Sequence, residues 1–389
     1  MNVENRIAKR IKRIPQKKNF TQLEPHSDII NLNSGQPDFR TPQNIIEATI
    51  RSIKRGQTTY SDPRGIIELR NAISDKLKRE NGVFADPKYE ILITCGAQHA
   101  ISLLMTTFVD QGDEIIIPDP LYTSYPFHIL LNGGIPIYAK VKSSNDFSLK
   151  AEDVRALVSS RTKMIVLNSP CMPTGGMYTE KDIREIADIA IENDLLVLSD
   201  ELYEKIIYDE KHFSISSIPG LSERTFTIQG FSKTYSMTGF RVGYIAGPNN
   251  LLQHLLGLHS HSVICASTIS QYAALEALQG SQIFVHEMVE EYRRRRDLIV
   301  KRFNEFPDVE CSVPKGSYYA FPNFNNVTKD DVNLAKYIAE KSHVLFAPGS
   351  NYGPSGAGYL KAAFTTTRDI LLGGMDRVER VLSQFQSSS

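Results

Sequence analysis

Gly230-Phe-Ser-Lys-Thr-Tyr-Ser-Met-Thr-Gly-Phe-Arg-Val-Gly243 is the stretch of this chain that carries the most information. It follows the β-rich run Thr225–Gln229, which predicts a loop at the end of a buried strand. In such a loop Lys233 is partly shielded from water, and desolvation lowers the pKa of an amine and favours Schiff-base chemistry. Ser232 and Arg241 flank the lysine, and their hydroxyl and guanidinium groups suit a phosphate. A surface lysine and arginine on an irregular loop would explain each residue alone, but not the full pattern.

Short β-rich runs alternate with longer helical patterns on both sides of this loop. The seven predicted strands are Ile91–Cys95, Glu114–Pro118, Pro136–Ala139, Lys163–Asn168, Leu195–Asp200, Thr225–Gln229 and Val242–Ala246. Helical patterns between them include Gln98–Phe108, Glu180–Ile191 and Ser270–Leu278. This alternation predicts an α/β fold with a mostly parallel seven-stranded sheet covered by helices on both faces. Ligands bind beyond the carboxyl ends of such strands, at Gly96-Ala97-Gln98, at Asp200 and in the loop after Gln229.

The pattern changes after residue 285. A long helix is predicted over Gln282–Asn304, and its four adjacent arginines, 293–296, point in different directions, which favours a solvated face over a nucleic-acid contact. Strand candidates then follow at Gly316–Phe321 and Val344–Ala347 in an α plus antiparallel β pattern.

Two domains are expected from this change of pattern. A large cofactor-binding domain would span residues 50–285. A smaller α+β domain would combine residues 1–49 with residues 286–389.

Composition excludes several classes of function. The 389 residues carry 44 Lys plus Arg against 44 Asp plus Glu, and a net charge of zero gives no general attraction to nucleic acid or an anionic membrane. No apolar run approaches the roughly 18–20 residues of a membrane span. The basic segment 1–20 lacks the apolar core of a signal peptide and is interpreted as a solvated arm. The four cysteines form no close pair, so we expect no metal site and a cytoplasmic protein.

The loop around Lys233 resembles the lysine signature of the class I/II aminotransferases, fold type I enzymes that use pyridoxal 5'-phosphate. Further motifs similar to that family are, in chain order, Asn33–Phe39, Thr59–Gly65, Thr94–Gln98, Asp119–Tyr125 and Ser199–Tyr203. The resemblance covers essentially the whole chain and implies a homodimer with shared active sites. It implies that Lys233 holds the cofactor as an imine while an amino group moves between an L-amino acid and a 2-oxo acid. The spacing is most similar to the aspartate and aromatic aminotransferase branch.

The resemblance also implies roles for individual residues around the cofactor ring. Asp200 would face the pyridine nitrogen and keep it protonated, so that the ring accepts electrons from the substrate. Tyr203 would donate a hydrogen bond to the phenolic oxygen, and Tyr122 would stack on the ring.

The phosphate and the substrate would take further groups. Gly96, Ala97 and Gln98 begin a helix, whose free N–H groups suit a phosphate together with Ser232 and Arg241. Tyr60 resembles a tyrosine that the neighbouring subunit contributes to that phosphate, and Gly35 resembles a glycine whose backbone lies beside the substrate carboxylate.

Two positions depart from the family pattern. Met172 stands where an asparagine usually bonds the phenolic oxygen, and a thioether cannot donate a hydrogen bond. Lys361 stands where an arginine usually grips the α-carboxylate, and a lysine lacks the planar fork of that group. Both departures leave open a second function, in which the same cofactor performs elimination, replacement, cyclisation or oxidation on a specialised amino acid. Arg64 is a further substrate-binding hypothesis, because it lies close enough to Tyr60 to reach the neighbouring active site.

Overall fold

The structure is a computed structural model that describes residues 6–12, 14 and 28–387, with the backbone alone at 386 and 387. Its largest feature is a seven-stranded sheet with the strand order β2-β8-β7-β6-β5-β3-β4. The strands are β2 (Ile91–Thr94), β3 (Glu114–Asp119), β4 (Ile135–Lys140), β5 (Thr162–Asn168), β6 (Leu196–Asp200), β7 (Thr225–Gly230) and β8 (Gly243–Ala246). Each predicted strand is therefore confirmed to within one residue at either end.

All neighbours in this sheet run parallel except β8, which is antiparallel to both β2 and β7. The fold is thus α/β with a mostly parallel sheet, as the sequence predicts. Every residue of β2, β3 and β8 is buried, because helices cover both faces and leave no solvated side for polar residues. This coverage explains why the strands appear in the sequence as continuous apolar runs.

The helices within the described part of the chain differ widely in length. They are α1 (Lys9–Lys12), α2 (Gln43–Lys54), α3 (Ile67–Lys76), α4 (Ala97–Phe108), α5 (Ser124–Leu131), α6 (Ala151–Arg155), α7 (Glu180–Glu192), α8 (Asn249–Val263), α9 (Thr268–Gln279), α10 (Ile283–Glu305), α11 (Asp331–Ser342) and α12 (Arg368–Ser387). Local chemistry sets several of the starts. The hydroxyl of Thr179, for example, caps α7 by accepting from the Asp182 amide at 3.1 Å. In the described ranges, no helix combines the length and the apolar character needed to cross a membrane.

Two smaller sheets lie outside the large one. β1 (Ile30–Asn31) pairs in parallel with β10 (Val344–Leu345), while β12 (Leu360–Ala363) pairs antiparallel with β11 (Ala347–Pro348) and β9 (Tyr319–Ala320). The predicted strand 316–321 is therefore limited to two residues. The predicted strand 344–347 is two strands in different sheets, with Phe346 between them.

A separate hydrophobic core packs α10, α11, α12 and the small sheets. It includes Leu32, Met288, Phe303, Leu334 and Leu382, whereas three other clusters pack against the large sheet. The division into two domains, with boundaries at 49/50 and 285/286, stays a prediction.

The expectation that arginines 293–296 form a solvated face is wrong for two of them. Arg295 and Arg296 are buried, with 4% and 5% exposure. Arg295 donates to both carboxylate oxygens of Asp38, at 2.8 and 2.9 Å, and Arg296 donates to Asp209 at 2.5 Å. The helix points these two side chains inward, where carboxylates compensate their charges. Most of the basic N-terminal segment lies outside the described residues.

Candidate active site

A cavity of about 470 Å³ opens at the carboxyl ends of the parallel strands. Most of the side chains singled out in the sequence meet there. Its lining includes Gly35, Ala97, Gln98, Tyr122, Asp200, Tyr203, Ser232, Lys233, Arg241 and Lys361. The chain reaches this edge repeatedly because parallel strands bring their carboxyl ends to one side of the sheet.

Lys233 lies in the loop after β7, as the sequence predicts. Its Nζ donates a hydrogen bond to the backbone oxygen of Gly35 at 2.6 Å. Burial, with a smaller contribution from the positive charge of Arg241, lowers the pKa of the Lys233 amine to about 8. A substantial share of this amine is therefore neutral near physiological pH and can act as a nucleophile or a base.

One end of the cavity is built to hold an anion. Gly96 precedes α4 with a φ of +81°, and a Cβ placed there would lie 2.7 Å from Nη2 of Arg241. Glycine therefore permits both the left-handed backbone and the approach of the guanidinium. Ser232, which is buried, lines the same cavity as the first residues of α4. A helix N-terminus, a hydroxyl and a guanidinium together form a donor set that suits a phosphate.

Gln98 contacts the second wall of the cavity through its side chain. Its Oε1 accepts hydrogen bonds from the hydroxyl of Tyr122 at 3.0 Å and from that of Ser124 at 2.8 Å. These bonds join the start of α4 to the loop before α5 and orient the Tyr122 ring. The sequence places Gln98 correctly, but it does not reveal this bridging contact.

Asp200 ends β6 with its carboxylate buried. Oδ2 accepts from the hydroxyl of Tyr125 at 2.6 Å and Oδ1 accepts from the amide of Leu202 at 3.2 Å. Burial raises the pKa of Asp200 to about 6, although the bond from Tyr125 lowers it. Tyr125 belongs to the motif Asp119–Tyr125. Its bond to Asp200 joins residues 75 positions apart, so no local pattern in the sequence indicates it.

A group of tyrosines forms the opposite wall. The hydroxyls of Tyr203 and Tyr319 are 3.0 Å apart, and the hydroxyl of Tyr318 donates to the backbone oxygen of Gly35 at 2.7 Å. All three phenols are buried, and burial raises the pKa of each, in Tyr319 to about 12, so they stay protonated as donors. Sequence reasoning assigned Tyr203 but missed Tyr319, which looks like an ordinary strand residue in the pattern.

The two departures from the family pattern both line the cavity. Met172 offers only its thioether, while its backbone amide donates to Oδ1 of Asn168 at 3.0 Å. Lys361 is 2% exposed, and its Nζ donates to the backbone oxygen of Asn33 at 2.9 Å. The same ammonium lies 5.1 Å from the ring centre of Tyr319 and 5.8 Å from that of Tyr352.

Tyr60 and Arg64 are not brought into the cavity of their own chain. The Tyr60 side chain is 75% exposed and lines a second open cavity of about 480 Å³, with residues 58–59 and 265–269. Nη1 of Arg64 donates to the backbone oxygen of Tyr89 at 2.9 Å.

A group of ionisable side chains lies just after the carboxyl end of β6. Glu201, Glu204 and His212 are close enough together to hold a metal ion. The ammonium of Lys76, however, bonds directly to the Glu204 carboxylate, and Nε2 of His212 lies 3.1 Å from Oε2 of Glu201. Positive groups of the chain itself therefore satisfy these buried carboxylates.

The amino-acid sequence of this chain is similar to those of known aminotransferases. A sequence profile described as "Aminotransferase class I and II" matches residues 27–371. This chain belongs to the class I and II aminotransferases. It is 40% identical over 362 residues to an aspartate aminotransferase of Pyrococcus abyssi, a match that spans 92% of each chain. It is 38% identical over 373 residues to aromatic-amino-acid aminotransferase 2 of Thermococcus litoralis, with 95% of each chain covered.

Solved aminotransferases also share the fold. The aromatic aminotransferase from Pyrococcus horikoshii superposes with a TM-score of 0.90 at 39% identity, which covers 92% of this chain and 97% of that one. The fold is accordingly fold type I, and the chain is an aminotransferase.

Proposed function

We propose that this aminotransferase uses pyridoxal 5'-phosphate, held on Lys233, to move an amino group between an L-amino acid and a 2-oxo acid. The observation that carries the proposal is the Lys233 amine, whose pKa is lowered to about 8 in a cavity that also holds Asp200 and Arg241. An amine, a carboxylate and an anion site in one cavity match the three functional groups of this cofactor.

The residues present fit the cofactor at each of its polar groups. Arg241, Ser232 and the start of α4 would hold the phosphate. Asp200 would bind the ring nitrogen, because it is a buried carboxylate without a cationic partner among the described residues. When bound, pyridoxal phosphate supplies an aldehyde that takes up the amino group and a ring that withdraws electrons from the α-carbon.

The chain's own residues then control proton movement. Asp200 would hold a proton on the ring nitrogen through its negative charge. Once the substrate amine has replaced Nζ of Lys233 at the cofactor aldehyde, the freed Nζ would take the proton from the α-carbon and deliver it to the former aldehyde carbon, which requires an amine that gains and loses protons near neutral pH. Tyr203 would donate a hydrogen bond to the phenolic oxygen of the cofactor, from a phenol that burial keeps protonated. Tyr122 would cover one face of the ring.

Substrate binding would use the segment 33–35 together with Lys361. Nζ of Lys361 bonds to the Asn33 oxygen and Nζ of Lys233 bonds to the Gly35 oxygen. An α-carboxylate placed beside this segment would therefore meet the positive charge of Lys361 and lie near Lys233. A single ammonium attracts a carboxylate without fixing its plane. The second function, in which the cofactor performs another reaction, therefore stays the alternative outcome of the test below.

The proposal includes a cytoplasmic homodimer with shared active sites. Tyr60 is exposed in its own chain, which is consistent with a role in the neighbouring subunit at the phosphate. Arg64 is proposed to reach the same neighbouring site as a substrate contact. If Arg64→Ala leaves the kinetics with every accepted amino acid unchanged, the role of Arg64 is wrong.

A stoichiometric assay tests the reaction. Single amino acids are added to the cofactor-loaded protein without any oxo acid, and we expect one equivalent of oxo acid and of pyridoxamine phosphate per site. Continuous release of ammonia, or consumption of oxygen, would support the alternative function instead.

Variants of two lysines test the assignment of Lys233. Lys233→Ala should abolish turnover, because the proton carrier and the covalent attachment are lost together. Lys181→Ala is the matched control, since that side chain is 83% exposed on α7. Substantial activity in Lys233→Ala would refute the assignment.

A further inference from the structure

The side chain of Tyr125 contacts Asp200 from outside the lining of the active-site cavity. It is fully buried on α5, and its hydroxyl donates to Oδ2 of Asp200 at 2.6 Å. The remaining bond to that carboxylate comes from the amide of Leu202, at 3.2 Å. In the described part of the chain, no lysine, arginine or histidine forms an ion pair with Asp200. Tyr125 is thus the side chain that determines how this carboxylate is held.

Opposing effects determine the pKa of a buried carboxylate whose partners are neutral. Burial disfavours its charged form, and the neighbouring carboxylate of Glu201 acts in the same direction. The bond from Tyr125 opposes both effects, since a hydrogen bond to the charged form stabilises it. Burial raises the pKa of the Tyr125 phenol well above its ordinary value, so it remains a donor throughout the working pH range.

The neutrality of the donor matters for the function. An arginine or lysine in this place would also stabilise Asp200, but it would neutralise the negative charge that has to hold a proton on the cofactor ring. A phenol orients the carboxylate and leaves its full charge for the ligand. The other titratable groups near Asp200 are Tyr203 and Cys171, and burial raises the pKa of both, so they stay uncharged.

We propose that Tyr125 is a positioning residue that keeps Asp200 charged and oriented, and so sets the protonation of the cofactor's ring nitrogen. This inference rests on the proposed function. It goes further, because it assigns a role to a residue outside the substrate cavity.

Tyr125→Phe removes the hydroxyl and keeps the ring in the core. We expect kcat to fall about 10- to 100-fold, the loss typical of a hydrogen bond to a charged group, while KM for the amino acid changes little. The acid limb of the pH–rate profile should move to higher pH, because Asp200 then becomes protonated more easily. Tyr178→Phe is the control, since Tyr178 is an equally buried phenol without a bond to Asp200.

Ring-nitrogen protonation can be measured independently of turnover. Each holoenzyme is prepared with pyridoxal phosphate labelled with ¹⁵N in the ring, and the chemical shift is followed against pH. Wild type and Tyr178→Phe should retain the ring proton at neutral pH, and Tyr125→Phe should lose part of it. An unchanged shift in Tyr125→Phe would overturn the proposal.

A double-mutant cycle separates positioning from packing. In an Asp200→Asn background the carboxylate is absent, so Tyr125→Phe should cause little further loss of kcat. If Tyr125→Phe lowers kcat by the same factor with and without the Asp200 carboxylate, Tyr125 contributes only to the packing of the core. If wild type keeps the ring proton but transaminates no amino acid, the proposed function fails while the role of Tyr125 stands. If wild type binds no cofactor, both fail.

Discussion

At the scale of the residue, Lys233 shows how position changes chemistry. An ordinary lysine amine has a pKa near 10.5, whereas burial and Arg241 lower the pKa of Lys233 to about 8. A lowered pKa means that the folded protein favours the neutral amine. The neutral fraction is therefore about one half at pH 8 and about nine tenths at pH 9, where an exposed lysine is still almost fully protonated.

Covalent capture of pyridoxal phosphate by the cofactor-free protein should follow that neutral fraction. We expect the initial rate, trapped with borohydride and measured by mass spectrometry, to reach half its maximum near pH 8 and to level off above about pH 9. In Lys233→Ala, capture should drop to the slow rate of surface lysines. A rate that keeps rising toward pH 10 would show that the amine is not desolvated.

Lys361 is the residue on which substrate binding is expected to depend. Lys361→Met keeps a long side chain between Tyr319 and Tyr352 but removes the charge and the bond to the Asn33 oxygen. We expect KM for the amino acid to rise about 10- to 100-fold, with cofactor affinity nearly unchanged, because the proposed phosphate site is at Arg241 instead. Steady-state kinetics and a cofactor titration check both parts. An unchanged KM would place the carboxylate elsewhere.

At the scale of the element, the sequence predicts the large sheet closely and the rest less well. β2, β3 and β8 are buried along their whole length, and most strands of this sheet are rich in apolar residues between turn residues, a pattern that is easy to recognise. The small sheets consist of strands of two to four residues, too short for any periodicity. The same limit applies to the site. Lys233 and Asp200 adjoin recognisable strands, whereas the bonds of Tyr125 and Tyr319 depend on tertiary contacts.

Helix α10 illustrates what a sequence pattern cannot decide. Four consecutive arginines look alike in the sequence, yet Arg295 is buried and anchors Asp38, a few residues after Gly35. Its guanidinium also lies 5.1 Å from the ring centre of Phe39 and bonds to Glu291 at 3.0 Å. This helix therefore fixes the segment that supplies backbone contacts to Lys233 and Lys361.

Adjacent arginines of α10 provide a matched pair of variants. Arg295→Met should lower the free energy of unfolding by about 1–3 kcal/mol, since the buried guanidinium loses its charged hydrogen bonds to the partly exposed carboxylates of Asp38 and Glu291. Arg294→Met should change it by less than about 0.5 kcal/mol, because that side chain is 62% exposed and its ion pair with Glu291 is at the surface. Urea unfolding of both variants checks the difference. Equal effects would mean that the burial of Arg295 is energetically unimportant.

At the scale of the whole molecule, one chain supplies most of a complete active site. The large sheet provides Asp200, Lys233 and the anion site, and the part of the chain around α10 and the small sheets provides Lys361 and Tyr319. Tyr60 is an assigned cofactor contact whose side chain lines a different cavity. The proposal of shared active sites therefore depends on whether Tyr60 acts within its own chain or across a dimer.

Mixing two inactive variants distinguishes these cases. Lys233→Ala and Tyr60→Ala each disable both sites of their own homodimer if Tyr60 acts across the interface. After subunit exchange, a hybrid dimer has one site with both changes and one site with neither, so random pairing should restore roughly a quarter of wild-type activity. If Tyr60 acts within its own chain, every site of the hybrid carries one change and no activity returns. Activity that rises with the fraction of hybrids, resolved by native mass spectrometry, would establish that two chains build each site.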